Sequence, residues 1–179
     1  MPLEFVRSEI LLKGRAFKIR QDTLKTPDGQ EFKYEIIEHG GSVVIVPVDE
    51  DANILLVRQY RHATGMDLLE LPAGTLDGEE PFEVCAAREL REETGMEAGQ
   101  LQRLGGFYLA PGYSSEFMAV FLATDLKHNP LAGDDDEFLE VEKIPAKDAI
   151  SMFERDEVLD AKSLAAWLLV KPHLEKFLG

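Results

Sequence analysis

Residues 42–48, Ser-Val-Val-Ile-Val-Pro-Val, carry no charge and four valines. A run of this kind does not alternate and reads as a buried strand, of the sort found in sheets covered on both faces. It demands layers on either side, and the rest of the chain offers them. Residues 49–53 read as a turn and 54–60 as a second strand. A short strand at 68–71 is stopped by Pro72, and further strands are predicted at 104–109, 117–124 and 138–144. Helical spacing appears at 81–94, where Pro81 suits the first helical position and Gly95 the position just past the end. It returns at 146–155 and from Ala161 onward. In the last of these Leu164, Trp167 and Leu168 share a face, and Pro172 is expected to kink or restart the helix. Strands mixed with a few helices imply a layered α/β domain.

The first 40 residues have a different character. Residues 16–24 and 31–37 read as strands, the second with Phe32, Tyr34 and Ile36 on one face. Thr26-Pro27-Asp28-Gly29 between them is a turn signal, so a hairpin is expected. This segment is too small to bury a core and is expected to pack on the rest of the chain or on a second subunit. The sequence therefore divides into an N-terminal β segment, 1–40, and a main body, 41–179, of ordinary single-domain size.

Composition narrows the function classes. There are 34 acidic against 19 basic residues, a formal net charge of −15. Such a surface repels phosphate backbones, so nucleic acid is not an expected partner. A small phosphate ligand remains open, because carboxylates hold bridging metal ions. One cysteine excludes an internal disulfide framework and any Cys-based zinc site. No apolar run approaches a membrane span, and Met1-Pro2-Leu3-Glu4-Phe5 lacks a secretory pattern, so a cytoplasmic protein without membrane contact is expected.

The stretch from Gly74 to Met96, GTLDGEEPFEVCAARELREETGM, carries the chemistry. On a helical wheel Glu89, Glu92 and Glu93 fall within an arc of about 100°. Val84, Ala87 and Leu90 point to the other side, toward an expected core. Arg88 lies one turn before Glu92, where an ion pair is possible. Three carboxylates on one arc cost little on a wet surface. At the foot of a cleft each pair costs several kcal/mol, since about 4 kcal/mol acts between unit charges 4 Å apart at an effective dielectric near 20. A hard divalent cation removes that cost. The residues alone also allow a plain solvated acidic face.

The spacing of the whole segment decides between the two. Gly74, Glu80, Arg88, Glu89, Leu90, Glu92, Glu93, Gly95 and Met96 match G-x5-E-x7-R-E-U-x-E-E-x-G-U, with U apolar, at every fixed position. In this the sequence resembles the Nudix hydrolases. The resemblance implies an α/β/α sandwich with a mixed sheet, and hydrolysis of a nucleoside diphosphate linked to another moiety. It implies that Glu89, Glu92 and Glu93, with the carbonyl of Ala73, hold divalent metal, Mg²⁺ or Mn²⁺. Arg88 matches the arginine that orients a box glutamate, and Glu80 the outer acid.

Features outside the box are similar to the ADP-ribose pyrophosphatase branch. They are Leu71-Pro72-Ala73-Gly74, Val57-Arg58-Gln59-Tyr60-Arg61, the segment Ala110-Pro111-Gly112-Tyr113-Ser114-Ser115-Glu116, and the acidic run Asp134-Asp135-Asp136-Glu137. The resemblance implies Arg61 and Arg58 as substrate contacts, and Glu116 at metal or terminal ribose. It leaves Tyr113 either shaping the pocket or packing, and makes Glu137 the base that activates water. It also implies a homodimer formed through the N-terminal strands. The expected reaction is hydrolysis of ADP-ribose to AMP and ribose 5-phosphate. The alternatives are another nucleoside diphosphate sugar, such as GDP-mannose or ADP-glucose, and a catalytically silent nucleotide-binding module. Cys85 reads as a packed small residue.

Overall fold

The computed structural model describes residues 3–15, 17–133, 138–155 and 157–174. The chain divides into two compact units, Met1–Gly41 with Tyr108–Phe117, and Ser42–Phe107 with Met118–Gly179.

In the first unit β1 (Glu4–Lys13), β2 (Lys18–Lys25) and β3 (Glu31–Glu38) form an antiparallel sheet in that order. The expected hairpin is β2–β3, with Leu24 opposite Phe32, Asp22 opposite Tyr34 and Arg20 opposite Ile36. Its turn closes through the Gly29 N–H to the Thr26 carbonyl at 2.9 Å, with Gly29 at φ 94°, where a side chain would be strained. Residues 108–117 join this unit through backbone bonds. Ile37 N–H donates to Tyr113 O at 2.7 Å, and Ser115 N–H to Ile37 O at 3.0 Å. Every residue of β1 is exposed.

In the second unit β4 (Ser42–Pro47), β5 (Asn53–Arg61), β6 (Met66–Glu70) and β7 (Ala73–Thr75) precede α1 (Phe82–Thr94). Then follow β8 (Met96–Tyr108), β9 (Phe117–His128), β10 (Leu139–Pro145), α2 (Ala146–Glu154) and α3 (Ala161–Leu174). One sheet runs β7-β4-β9-β8 and is mixed, since β4 is antiparallel to β7 and parallel to β9. A second sheet, β10-β5-β6, is antiparallel.

The run at 42–48 behaves as its composition requires. All six residues of β4 are buried. Val44, Val46 and Val48 join Phe153 of α2 and Trp167, Val170 and Leu174 of α3 in one core. Val43 and Ile45 alternate to the other face of the strand, where α1 packs. Each buried aliphatic side chain of this kind contributes about 1.5–3 kcal/mol. Phe153 stacks on Trp167 with ring centroids 4.3 Å apart.

Four local expectations are corrected. Pro81 is the N-cap, in extended conformation, one residue before the helix begins; its carbonyl accepts the Cys85 N–H at 3.1 Å. β8 starts at Met96 rather than at 104, because pairing with β9 extends a segment whose glycines and glutamines carry no alternation of their own. The buried face of α3 holds Ser163, Ala166, Trp167, Val170 and Leu174, while Leu164 and Leu168 are exposed. Finally, α3 runs through Pro172 to Leu174. The missing N–H of Pro172 removes one backbone bond of the helix.

Candidate functional site

Helix α1 carries the site. Gly95 ends it in the left-handed region at φ 72°, as expected for the position just past a helix. Its buried residues are Cys85, Ala86, Glu89, Leu90 and Glu93, a stripe at helical spacing. The expected core contacts Val84 and Ala87 are exposed instead. Helical spacing alone could not choose between these stripes, because two of the residues on the buried one are acids. Glu89 and Glu93 are only 8% and 6% exposed, and Glu92 is half-buried.

Arg88 holds the acids together. Its Nη1 donates to Glu89 Oε1 and to Glu92 Oε2, each at 2.8 Å. Its Nη2 donates to Glu80 Oε1 at 2.6 Å and to the Thr75 carbonyl at 3.1 Å. Burial alone would lower the Arg88 pKa. Hydrogen bonds to Glu80, Glu92 and Glu89, with the charge of Glu89, outweigh burial and hold it above the ordinary arginine value. The Arg88 bond in turn holds Glu80 below the usual carboxylate value. Glu80 also accepts the Asp77 N–H at 2.9 Å, which closes the loop before the helix, and its bond to Arg88 ties that loop to the second turn of α1.

The strand ahead of the loop completes the arrangement. The Ala73 N–H donates to Glu93 Oε2 at 3.0 Å. Gly74 lies so close to the Glu89 carboxylate that a Cβ there would overlap it. A side chain at the box glycine would therefore displace the Glu89 carboxylate, while the φ of Gly74 is not in the left-handed region. Cys85 packs beneath these groups; burial, then the charge of Glu89, pushes its thiol far up, so it stays protonated.

The NUDIX domain family pattern matches residues 38–168, most of the chain. The chain belongs to the NUDIX domain family. It is 37% identical over 164 residues to the ADP-ribose pyrophosphatase of Bacillus subtilis (strain 168), covering 90% of this chain and 88% of that protein. It is 33% identical over 152 residues to the GDP-mannose pyrophosphatase of Citrobacter koseri, covering 79% of each. A crystal structure of an ADP compounds hydrolase superposes with a TM-score of 0.85 at 28% identity, covering 99% of this chain and 96% of that one. The α/β fold with a mixed sheet, helices and an antiparallel N-terminal sheet is that of the Nudix relatives.

Members of the family generally use divalent metal, and the donor set of this Nudix box fits a hard cation. It offers only oxygens, most of them on buried carboxylates, beside a backbone strand brought close by a glycine. Among the described residues no three acids, histidines or cysteines already converge as a cage, because Arg88 draws Glu89, Glu92 and Glu80 toward itself.

The remaining candidates lie on other elements. Arg61 of β5 grips Glu70 of β6 with Nε at 2.9 Å and Nη2 at 2.7 Å. That bond, helped by the charges of Glu70, Glu93 and Asp160, raises its pKa against burial. Arg58 pairs through Nε with Glu142 of β10 at 2.6 Å. Tyr113 and Glu116 belong to the first unit; Tyr113 is exposed and Glu116 half-buried, with its N–H bonded to Ser114 Oγ at 3.2 Å. Glu137, with Asp134, Asp135 and Asp136, lies outside the described residues.

The sequence reading passed over one group beside the box. Glu70, 1% exposed, meets Lys162 of α3 as well as Arg61. Lys162 also donates to Asp160 Oδ2 at 2.8 Å. The available signal was an ionisable residue inside an apolar segment, Leu-Leu-Glu70-Leu-Pro and Lys162-Ser-Leu-Ala-Ala-Trp.

Proposed function

We propose that this chain hydrolyses the diphosphate bond of ADP-ribose to AMP and ribose 5-phosphate, with Mg²⁺ or Mn²⁺ as the required cation. The observation that carries the reading is the pair of buried acids one turn apart on α1, Glu89 and Glu93, beside Glu80 and Glu92, which share the Arg88 guanidinium with Glu89. The name of the Bacillus subtilis relative supports the substrate.

The carboxylates of Glu89, Glu92 and Glu93 and the carbonyl of Ala73 would hold the cation. When bound, the cation supplies charge neutralisation for the diphosphate and acidifies water. The chain's own residues do the rest. Arg88 orients Glu89 and Glu92, and the Ala73 N–H orients Glu93. Glu70 fixes Nε and Nη2 of Arg61, which is the first phosphate contact from β5, and Arg58 is the second. Glu116 and Tyr113 bind the sugar end. Glu137 takes the proton of the attacking water. No covalent intermediate is needed, because water attacks phosphorus directly.

The name of the Citrobacter koseri relative favours a second reading, hydrolysis of GDP-mannose by the same machinery. A nucleotide-sugar panel with and without divalent metal separates the two. ADP-ribose turnover at least about tenfold above GDP-mannose and ADP-glucose supports the first, at about 1.4 kcal/mol of discrimination. The reverse order supports the second. No metal-dependent turnover of any nucleotide sugar would leave a silent binding module.

The enzyme is placed in the cytoplasm as a homodimer. Residues 41–179 form the hydrolase domain and residues 1–40 the dimer-forming segment. Support comes from β1, an edge strand with Phe5, Ile10, Leu11 and Leu12 all exposed, since such an edge and apolar patch call for a partner. Light scattering should give twice the chain mass, and deletion of the first 13 residues should give a monomer.

A further inference from the structure

We propose that Lys162 and Ser163, at the start of α3, are positioning residues for the metal-binding arm of the box, acting through residues 70–73. The proposal rests on the reading that Ala73 and Glu93 hold the cation. Four consecutive residues connect the two places, the first two tied to α3, the third to β4 and the fourth to α1. Glu70 bonds Lys162 and Arg61. The Leu71 N–H donates to Ser163 Oγ at 2.7 Å. The Pro72 carbonyl accepts the Ile45 N–H of β4 at 2.8 Å. The Ala73 N–H donates to Glu93.

The α3 end of this chain of contacts is itself fixed. Asp160 Oδ2 accepts from Ser163 N–H at 3.0 Å, from Ser163 Oγ at 2.7 Å and from Lys162 Nζ at 2.8 Å. It caps the helix and aims both side chains. Ser163 is fully buried and Lys162 nearly so. An apolar pair of similar volume would stabilise such a place as well or better, so stability alone does not call for buried charge here. What leucine or methionine could not do is set the backbone of residues 70–73 to a fraction of an ångström, through bonds of defined length and direction. The Ala73 carbonyl and the Glu93 carboxylate both depend on that backbone. Groups one step removed from a metal commonly tune its binding in this way.

The test compares wild type with Lys162→Met, Ser163→Ala and Lys162→Arg. Mn²⁺ binding without substrate is read from the electron paramagnetic resonance signal of the free ion, and kcat for ADP-ribose is measured over a range of Mg²⁺. Lys162→Met is expected to weaken Mn²⁺ binding about tenfold and lower kcat by a similar factor, with Ser163→Ala smaller in the same direction. Lys162→Arg, which keeps a cation against Glu70, should recover most of both. A residue that only stabilises the fold would lower the melting temperature and leave Mn²⁺ affinity and kcat of the folded protein within about twofold of wild type, and that result overturns the proposal. If Lys162→Met does not fold, Ser163→Ala decides by the same criterion. Wild-type protein that binds no Mn²⁺ and turns over no nucleotide sugar would overturn the underlying reading and the proposal with it. An active wild type with indifferent variants overturns the proposal alone.

Discussion

Two groups of buried charge lie in the second unit, and they differ in balance. Around Glu70 two carboxylates, Glu70 and Asp160, meet two cations, Arg61 and Lys162. In the box Arg88 pairs with Glu80, Glu89 and Glu92, and with Asp77 at 3.8 Å, while Glu93 takes the Ala73 N–H and feels the charge of Arg61. In the first group the charges balance. Around Arg88 the carboxylates outnumber the cations, an excess of negative charge that a hard cation would offset. Burial is common to both groups; the ratio of charges sets them apart.

That contrast breaks most visibly at Glu93. Glu93→Gln should lower kcat for ADP-ribose by about a thousandfold or more, since it removes a charge that acts on the transition state. The melting temperature should hold or rise, because a like-charge repulsion is relieved. Activity within a few-fold of wild type would return the box acids to the status of a structural group. Removal of divalent metal by EDTA should abolish turnover of the wild type to the same background, with recovery on adding Mg²⁺ or Mn²⁺.

Gly74→Ala comes next. Its methyl group would take the place of the Glu89 carboxylate. Metal affinity or kcat should fall about 10- to 100-fold, with much less effect on stability. A tenfold smaller loss would mean that Glu89 swings aside without consequence.

The acid limb of stability sharpens the comparison at lower amplitude. The Arg88 hydrogen bond depresses the folded-state pKa of Glu80. Asp160 is also depressed, because Lys162 and Ser163 outweigh the burial that would raise it. A carboxylate with a lowered folded pKa stabilises the native state above its unfolded value and loses that contribution as pH falls through the folded value. Urea midpoints should therefore be flat from pH 7 to about 5 and decline below about pH 4. Glu80→Gln should shrink that decline in part, leaving the share of Asp160; an unchanged decline would show that the Arg88–Glu80 bond is no stronger than a surface pair. The smallest effect is expected at Cys85. Its buried, protonated thiol should resist a disulfide reagent at pH 8 and react only on unfolding, because the thiolate is the nucleophile.

The box was legible because its signal is local. Glu89, Glu92 and Glu93 share an arc by virtue of helical spacing, and the Arg88–Glu92 pair spans one turn. The Glu70 group was not legible, since Glu70 and Lys162 are 92 residues apart and nothing periodic joins them. For the same reason Arg58 and Arg61 could be named as cations on one strand while their partners, Glu142 and Glu70, stayed hidden. The exposed state of Val84 and Ala87 could not be read either, because a hydropathy pattern does not place carboxylates on a buried stripe.

By itself the sequence determined the buried strand at 42–48, the left-handed stop at Gly95 and the family-defining spacing from Gly74 to Met96. Each depends on neighbours within a turn or a few residues, where chain geometry leaves little choice. Only the tertiary structure decided which acids are withdrawn from water, which cations balance them, and what a side chain at Gly74 would displace. Those outcomes follow from contacts between elements brought together by burial, and the free energy of burial depends on what each surface meets.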